Sequence, residues 1–404
     1  MSEQSKPGPT SADIAIVSET FPPEVNGVAN TLRHLCQGLM SRGHRVSVIR
    51  PAQSTDCGSP LPGSNRLWAI EHTVRGLPLP GYPELQFGLA RAATLRKLWE
   101  QQRPDVIYVA TQGPLGIAAV SAARQLGIPV SSGFHTNFHS YSRHYRAGFI
   151  ERLLRAYGRW FHNRTDVTLV PTRQMAGVVT AMGIHPVNVW SRGVDCQRFA
   201  PHKRDPELRS QWGLQQDAPA VLYVGRLASE KNLQLAVSCF ERIHALHPQA
   251  RFVLVGNGPL REKLAREHPD YIFCGIQRGE SLARHYASGD IFLFPSKTDT
   301  FGNVVTEALA SGLAVVAFDD AAAAEHLRHE ENGMKASLDD DETFVEHALT
   351  LVQQHTLQCR IRHQARLDAL DLDWPSRIEQ FEQLTLTLKT RTRHHAISQG
   401  IPLI

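Results

Sequence analysis

Two carboxylates, Asp299 and Glu307, stand eight positions apart in the stretch PSKTDTFGNVVTEALASG, residues 295–312. A pair bonded along one helix face would sit three or four apart. Asp299 follows an apolar run, DIFLFP, while Glu307 falls inside an apolar helical pattern. Asp299 or Thr300 would cap a helix that begins near Asn303. Glu307 has no such role. Facing a ligand, its two acceptor-only oxygens would take hydrogen bonds from both hydroxyls of a ribose. Phe301 and Gly302 lie in the turn between the two carboxylates.

Cations occur in the stretch VGRLASEKN, residues 224–232. Gly225 turns the chain after an apolar strand, Arg226 follows, and Lys231 lies at the start of the next helix. Two cations beside a helix N-terminus are unfavourable unless an anion offsets them, so this stretch reads as an anion site. A solvated Arg and Lys in a loop is the plainer alternative. In VGNGPLREKL (255–264), Gly256 and Gly258 flank Asn257 and permit a tight turn or close backbone approach. That suits a phosphate or nucleoside, and equally a plain strand-to-helix turn. Gly27, in PPEVNGVAN, sits between a strand and a helix without the G-x-G-x-x-G spacing, which disfavours an NAD-type site. The stretch SSGFHTNFHSYSRHY (131–145) ends a strand at His135 and continues as a polar, aromatic loop through Asn137, His139 and Tyr141. Such loops carry substrate contacts, and its histidines show no zinc spacing.

The elements that must hold these residues repeat one grammar. Short apolar strands at 13–19, 45–51, 105–111, 129–136 and 166–172 alternate with helical stretches, and the pattern restarts at 220–226, 251–258, 272–275, 290–295 and 314–319. Near-continuous apolar strands between helices predict parallel sheets buried on both faces. The fold class is α/β: two doubly wound, Rossmann-like domains facing a cleft. Ligands of such sheets bind beyond the carboxyl ends of the strands, where Gly27, His135, Arg226, Gly256 and Asp299 all fall. Residues 11–195 form the first domain and 196–372 the second. The polar stretch after Arg192 reads as a linker with a short helix. Residues 373–391 read as an amphipathic helix that packs back on the first domain.

The bulk numbers agree with a globular enzyme-sized chain: 404 residues, 42% apolar and 20% charged. A net charge of +4 suits anionic small molecules or an anionic membrane surface and is too weak to argue for nucleic acid. Six dispersed cysteines without a C-x-x-C predict reduced, metal-free thiols and a cytoplasmic setting. The N-terminus shows no apolar signal region and no stretch is long enough to span a bilayer, so membrane contact would be peripheral.

Taken together, G-R-L-x-x-E-K-N and S-x-T-D-T-F-G-x-V-x-x-E-A-x-A-S-G resemble the retaining glycosyltransferases of family 4, of GT-B architecture. The resemblance runs from Asp13 to about Arg391. The T-D-T-F-G form and HTNFHSYSRHY resemble the subgroup of glycolipid mannosyltransferases and sulfoquinovosyldiacylglycerol synthases. This likeness implies transfer of a hexose from a UDP- or GDP-sugar with retention and without a metal or other cofactor. It implies catalytic roles for His135, Arg226, Lys231 and Asp299. Arg226 and Lys231 would hold the diphosphate, Asp299 and His135 the donor sugar, and Glu307 the ribose. Gly27, Gly225, Gly256, Asn257, Phe301, Gly302 and Asn303 would complete the donor site. The chain departs from the family in two places. Asp299 replaces the usual Glu of E-x7-E, one methylene shorter, and FDDAAAAEHL stands where relatives carry glycines, with Glu325 assigned to the site.

The acceptor side is read from residues 141–164, where arginines outnumber the lone Glu151 and aromatic residues are interleaved. Such a segment predicts an interfacial helix drawn to an anionic leaflet, or else an ordinary domain helix with a basic face. Asn137, Tyr141, Arg152, Arg155 and Trp160 would face a lipid acceptor such as diacylglycerol or a glycosylated lipid. That places the protein on the inner face of the cytoplasmic membrane. A transferase with a soluble acceptor shares every donor residue, and a non-catalytic nucleotide-sugar binder is the alternative of another class.

Overall fold

The structure is a computed structural model. It describes residues 11–24, 26–53, 70–79, 82–135, 148–215, 218–299 and 301–398, with the side chains of 79, 82–85, 148–150 and 390–398 outside that description. Asn137 and Tyr141 therefore lie outside the described residues. The chain divides into two compact units. It passes from the first to the second between Ser191 and Arg192 and returns to the first at Arg377.

The first unit is built on an eight-stranded sheet. Its strands are β1 (Asp13–Val17), β2 (Arg45–Pro51), β3 (Ile70–Leu79), β4 (Tyr82–Leu89), β5 (Val106–Val109), β6 (Val130–Gly133), β7 (Val167–Val170) and β8 (Val187–Val189). Their spatial order is β4-β3-β2-β1-β5-β6-β7-β8, and every pairing is parallel except β3 with β4. β5, β6 and β7 are buried along their whole length; β5 and β7 are mainly apolar, while β6 buries Ser131 and Ser132, which hydrogen-bond Ile107 O and His162. The β3–β4 hairpin and short β8 escaped the sequence reading. β3 carries Pro and Gly and alternates half-buried with exposed residues, a weak strand signal.

The second unit has six strands: β9 (Ala220–Val224), β10 (Arg251–Val255), β11 (Ile272–Gly275), β12 (Ile291–Phe294), β13 (Ala314–Phe318) and β14 (Met334–Ala336). They pair in parallel in the order β11-β10-β9-β12-β13-β14. β9, β12 and β13 are wholly buried, with apolar clusters on both faces of the sheet. The direction of winding reverses between β9 and β12. At such a switch point the loops leaving two adjacent strands diverge and open a crevice at their carboxyl ends.

The segment expected to be a linker is part of this unit's core. Val194, Cys196, Phe199 and Trp212 are buried against β9, β12 and the Gly279–Ser288 and Asn303–Ala310 helices. Asp290, at the entry to β12, fixes it. Burial opposes ionisation there, but Arg204 at 2.8 Å, Arg209 at 3.0 Å and Arg362 at 3.1 Å outweigh it and hold the carboxyl below the usual range. Polarity misled the sequence reading because these arginines are spent on one buried carboxylate.

The Trp374–Ser398 helix crosses the return point and packs on the first unit from Arg377 onward. Phe381 is buried edge-on against Tyr108, with ring centres 5.1 Å apart. Glu382 accepts from Arg42 Nε at 2.6 Å.

Candidate active site

In the second unit the predicted residues gather at the switch point. The loop after β9 carries Gly225, Arg226 and a single helical turn, Ser229–Lys231, before the Leu233–Leu246 helix. The loop after β12 carries Asp299 and leads to the Asn303–Ala310 helix. Lys231 Nζ donates to Asp299 Oδ1 at 2.8 Å, joining the two loops, and both side chains are about a fifth exposed. The second oxygen, Asp299 Oδ2, is shielded from solvent and has no partner among the described residues. Asp299 does not cap the following helix. The N-cap position of the Asn303–Ala310 helix is Gly302, in the left-handed region at φ +83°, with no side-chain cap among the described residues, and Thr300, the other expected cap, lies outside them. The first amides of this helix and Lys231 are the groups here suited to an anion.

Arg226 is not tied into this pair. Its guanidinium is largely exposed and reaches Glu230 at 3.3 Å, while its carbonyl accepts from the Tyr223 hydroxyl at 3.1 Å. Gly225 and Gly256 turn out to serve each other. A Cβ on Gly256 would lie 1.9 Å from the Gly225 carbonyl oxygen. Their amides are already used, Gly225 N–H donating to Val255 O and Gly256 N–H to Gly275 O. The pair allows two strand ends to meet and does not present N–H groups to a phosphate. Asn257 is likewise engaged, its side chain accepting from Gly258 N–H at 2.9 Å. Phe301 is core: it is 1% exposed and offers no ring surface to a ligand.

Glu307 lies on the Asn303–Ala310 helix, partly exposed. It accepts from the Tyr286 hydroxyl at 2.9 Å. Burial pushes its carboxyl up to about 7, against the pull of the Tyr286 hydrogen bond and the Arg198 charge. Two neighbours were not legible. Tyr286 carried no motif, though a tyrosine on a buried helix face needs an acceptor. Arg192 places its guanidinium 5.4 Å from the centre of the Phe301 ring and donates to Asn303 Oδ1 at 3.4 Å. Glu325 is half-buried in the Ala321–His326 helix. The DDD run at 339–341 is a helix start, with Asp340 accepting from Thr343 N–H at 2.9 Å.

In the first unit His135 follows β6, and its Nε2 is 3.0 Å from the Tyr108 hydroxyl on β5. Gly27 opens the Gly27–Ser41 helix after β1 and is exposed, with Asn26 accepting from Ala29 N–H as the cap. A carboxylate missed from sequence, Glu19, lies at the end of β1 and accepts from Leu115 N–H at 3.1 Å. Burial pushes it up to about 7. The Gly148–His162 helix buries Phe161 and His162 and exposes Arg152, Arg155 and Arg159, with Leu153 54% and Trp160 47% exposed. Arg155 pairs with Glu151 at 2.8 Å, and the Arg164 guanidinium lies 5.2 Å over the Trp160 ring. His162 bonds Ser132 and Gln112, and burial lowers its pKa to about 3, so it is a neutral core group. Among the described residues, no group of three His, Cys, Asp or Glu could hold a metal ion.

Two family patterns match the chain: Glycosyltransferase Family 4 over residues 25–198, and Glycosyl transferases group 1 over residues 218–354. A GDP-mannose-dependent alpha-mannosyltransferase of Mycobacterium tuberculosis is 33% identical over 369 residues, covering 90% of this chain and 93% of that protein. The chain belongs to glycosyltransferase family 4. This family 4 enzyme is also similar to the sulfoquinovosyl transferase SQD2 of Arabidopsis thaliana, at 28% identity over 87% of this chain and 68% of that one. Among solved structures it shares its fold with sucrose-phosphate synthase of Thermosynechococcus elongatus, of GT-B architecture. The TM-score is 0.73 at 18% identity, over 92% of this chain and 97% of that chain. It is a hexosyltransferase built from two parallel-sheet α/β domains.

Proposed function

We propose that this enzyme moves a hexose from a nucleotide-diphosphate sugar, GDP-mannose first among candidates, to a lipid acceptor with retention of anomeric configuration. The observation that carries the donor half is the junction of Lys231 with Asp299 at the switch point, beside an uncapped helix that leads to Glu307. Lys231, with Arg226, holds the diphosphate and stabilises the charge on the leaving nucleotide. Asp299 contacts the transferred sugar, and Glu307 accepts from the ribose hydroxyls. His135 is the sugar-contacting group of the first unit. No resident metal is needed, because cations and helix amides meet the diphosphate. GDP-mannose is put first because the mycobacterial relative, similar along nearly its whole length, is named for it.

The lipid half rests on the Gly148–His162 helix. It sets Leu153 and Trp160 in solvent among Arg152, Arg155 and Arg159. Apolar side chains ringed by cations suit the interface of an anionic leaflet, each nearby cation adding about 1 kcal/mol. No described helix is long and apolar enough to cross a membrane, and peripheral attachment to the inner face of the cytoplasmic membrane follows as part of this proposal.

The test is a donor panel. GDP-mannose, UDP-glucose, UDP-galactose and UDP-glucuronate are each offered with anionic vesicles containing diacylglycerol, and nucleotide release and lipid product are both followed. Lipid-dependent release with one donor, and an axial product from an axial donor, is the expected result. Release that ignores the lipid removes the lipid acceptor, and an inverted product removes retention.

A further inference from the structure

Tyr286 lies in the Gly279–Ser288 helix with none of its surface exposed. Its ring is held edge-on by Phe199, centres 5.6 Å apart, and tilted against Phe292 at 5.8 Å. A phenol in such a place must find an acceptor, because an unshared hydroxyl in an apolar core is costly. The acceptor is Glu307 Oε2 at 2.9 Å, brought in from the Asn303–Ala310 helix. The arrangement sets a carboxylate and a phenol where Phe and Leu would pack with less desolvation cost. Departures of that kind from local packing rules concentrate at functional sites. The Tyr286 hydroxyl makes no other hydrogen bond among the described residues, and Glu307 is partly exposed, so a ligand can reach it.

We propose that Tyr286 is a positioning residue for nucleotide binding: its immobile hydroxyl, donating to Glu307 Oε2, fixes the carboxylate that accepts the ribose hydroxyls of the donor. The inference rests on the proposed reading of Glu307 as the ribose acceptor. A ring locked between two phenylalanines has one hydroxyl direction, so the carboxylate it bonds has one favoured rotamer. Both Glu307 oxygens retain lone pairs for a ribose, since Tyr286 occupies a single site on one of them. The same bond favours the ionised carboxyl, the form that accepts from two hydroxyls. Other charged and titratable groups around the helix are accounted for. Arg198 also favours ionisation and itself leans on Asp195 at 3.6 Å. Tyr223 lies beyond Tyr286. His326 packs against Phe301 and Glu325 precedes it, both on the Ala321–His326 helix. Arg366, from the His355–Leu370 helix, is bonded to the Ala310 carbonyl.

The experiment measures binding of GDP and UDP, and of their 2′-deoxy forms, to the full chain and to Tyr286→Phe and Glu307→Gln between pH 5.5 and 8.5. Phenylalanine keeps the ring packing, and melting without ligand checks that the variant is folded. For whichever nucleotide binds the wild type more tightly, Tyr286→Phe should raise Kd roughly tenfold. It should narrow the preference for ribose over deoxyribose. It should also move the pH midpoint for binding upward, since loss of the donor hydrogen bond makes the carboxyl harder to ionise. A raised Kd with an unmoved midpoint and intact ribose preference would mean that Tyr286 only fills the core, and would overturn the inference. If Glu307→Gln loses ribose preference while Tyr286→Phe keeps wild-type behaviour, the inference fails and the reading of Glu307 stands. If Glu307→Gln keeps that preference, the reading fails and the inference with it.

Discussion

Lys231 Nζ and Asp299 Oδ1 meet at 2.8 Å although 68 positions separate them in the chain. They leave the carboxyl ends of β9 and β12, neighbours in the sheet at the point where its winding reverses. Their ion pair ties the cationic loop to the carboxylate loop, beside the Thr298 hydroxyl that donates to the Glu230 carbonyl at 3.1 Å. The pair is about a fifth exposed, so its contribution to stability lies between that of a surface bridge, about 1 kcal/mol or less, and that of a buried one. Lys231→Ala should therefore melt within a few degrees of wild type. Its rate of transfer should nevertheless fall by about 10²–10³, the loss expected when a donor to a developing anion is removed. A variant that keeps its rate would remove Lys231 from the mechanism.

The same two residues should be energetically coupled. In a cycle of Lys231→Ala, Asp299→Asn and the double variant, we expect a coupling of about 0.5–3 kcal/mol in kcat/KM. Independent effects would mean that the ion pair is incidental to turnover.

Raised and lowered pKa values act on stability in opposite directions. Glu19 and Glu307 stand near 7 when folded against an ordinary 4.5. The folded state then binds more protons than the unfolded state between those values, so stability falls as pH rises from 4.5 to 7 and levels off above. His162 stands near 3 against an ordinary 6.5, so its contribution is present above 6.5 and is lost as pH falls toward 3. Glu19→Gln and Glu307→Gln should each gain stability relative to wild type at pH 8 and lose that gain by pH 4.5. Thermal melts of the ligand-free protein across this range decide it, and a difference independent of pH would contradict the burial argument.

Gly256 and Gly275 separate close approach from backbone conformation alone. Both have positive φ, +140° and +65°. Open space surrounds a Cβ on Gly275, whereas one on Gly256 meets the Gly225 carbonyl oxygen. Gly275→Ala should cost about 1 kcal/mol. Gly256→Ala should cost clearly more, because backbone has to move. Urea unfolding compares them, and equal midpoints would show that the strand ends separate easily.

Asp290 is expected to be the weak point of the second unit. Asp290→Ala leaves Arg204, Arg209 and Arg362 without their shared partner, and breaking a buried pair costs about 3–5 kcal/mol. Chemical denaturation of the variant gives the figure directly, and a loss below 1 kcal/mol would mean that solvent reaches the cluster.

The membrane reading turns on Leu153 and Trp160. Replacing both by Ser should weaken binding to anionic vesicles with little change in melting, since both side chains are about half exposed. Arg152→Ala with Arg159→Ala should weaken it by roughly tenfold or more at low salt, on the basis of about 1 kcal/mol per cation. Vesicle flotation over a salt series reads both, and unchanged binding would withdraw the interfacial helix.

Much of this was legible along the chain. The alternation of buried strands and helices gave two parallel sheets, because a strand covered on both faces is apolar at most positions. G-R-L-x-x-E-K-N and the spaced carboxylates gave the family, because they are local patterns. What stayed hidden was pairwise and distant. Polarity made residues 192–214 look like a linker, whereas Asp290 draws Arg204 and Arg209 inward. Phe301 looked like a site residue from its place in the motif and proved to be core. Gly225 and Gly256 looked like donor-site glycines, of which Gly256 would allow a close backbone approach, but their amides bond the neighbouring strand ends. Tyr286 announced nothing, since its meaning depends on a carboxylate two elements away. The sequence by itself determined which residues carry charge and which strands are buried, properties set by each side chain and its near neighbours. Only the tertiary structure decided that Lys231 meets Asp299 and Tyr286 meets Glu307, because sheet order and helix packing choose which distant groups share a site.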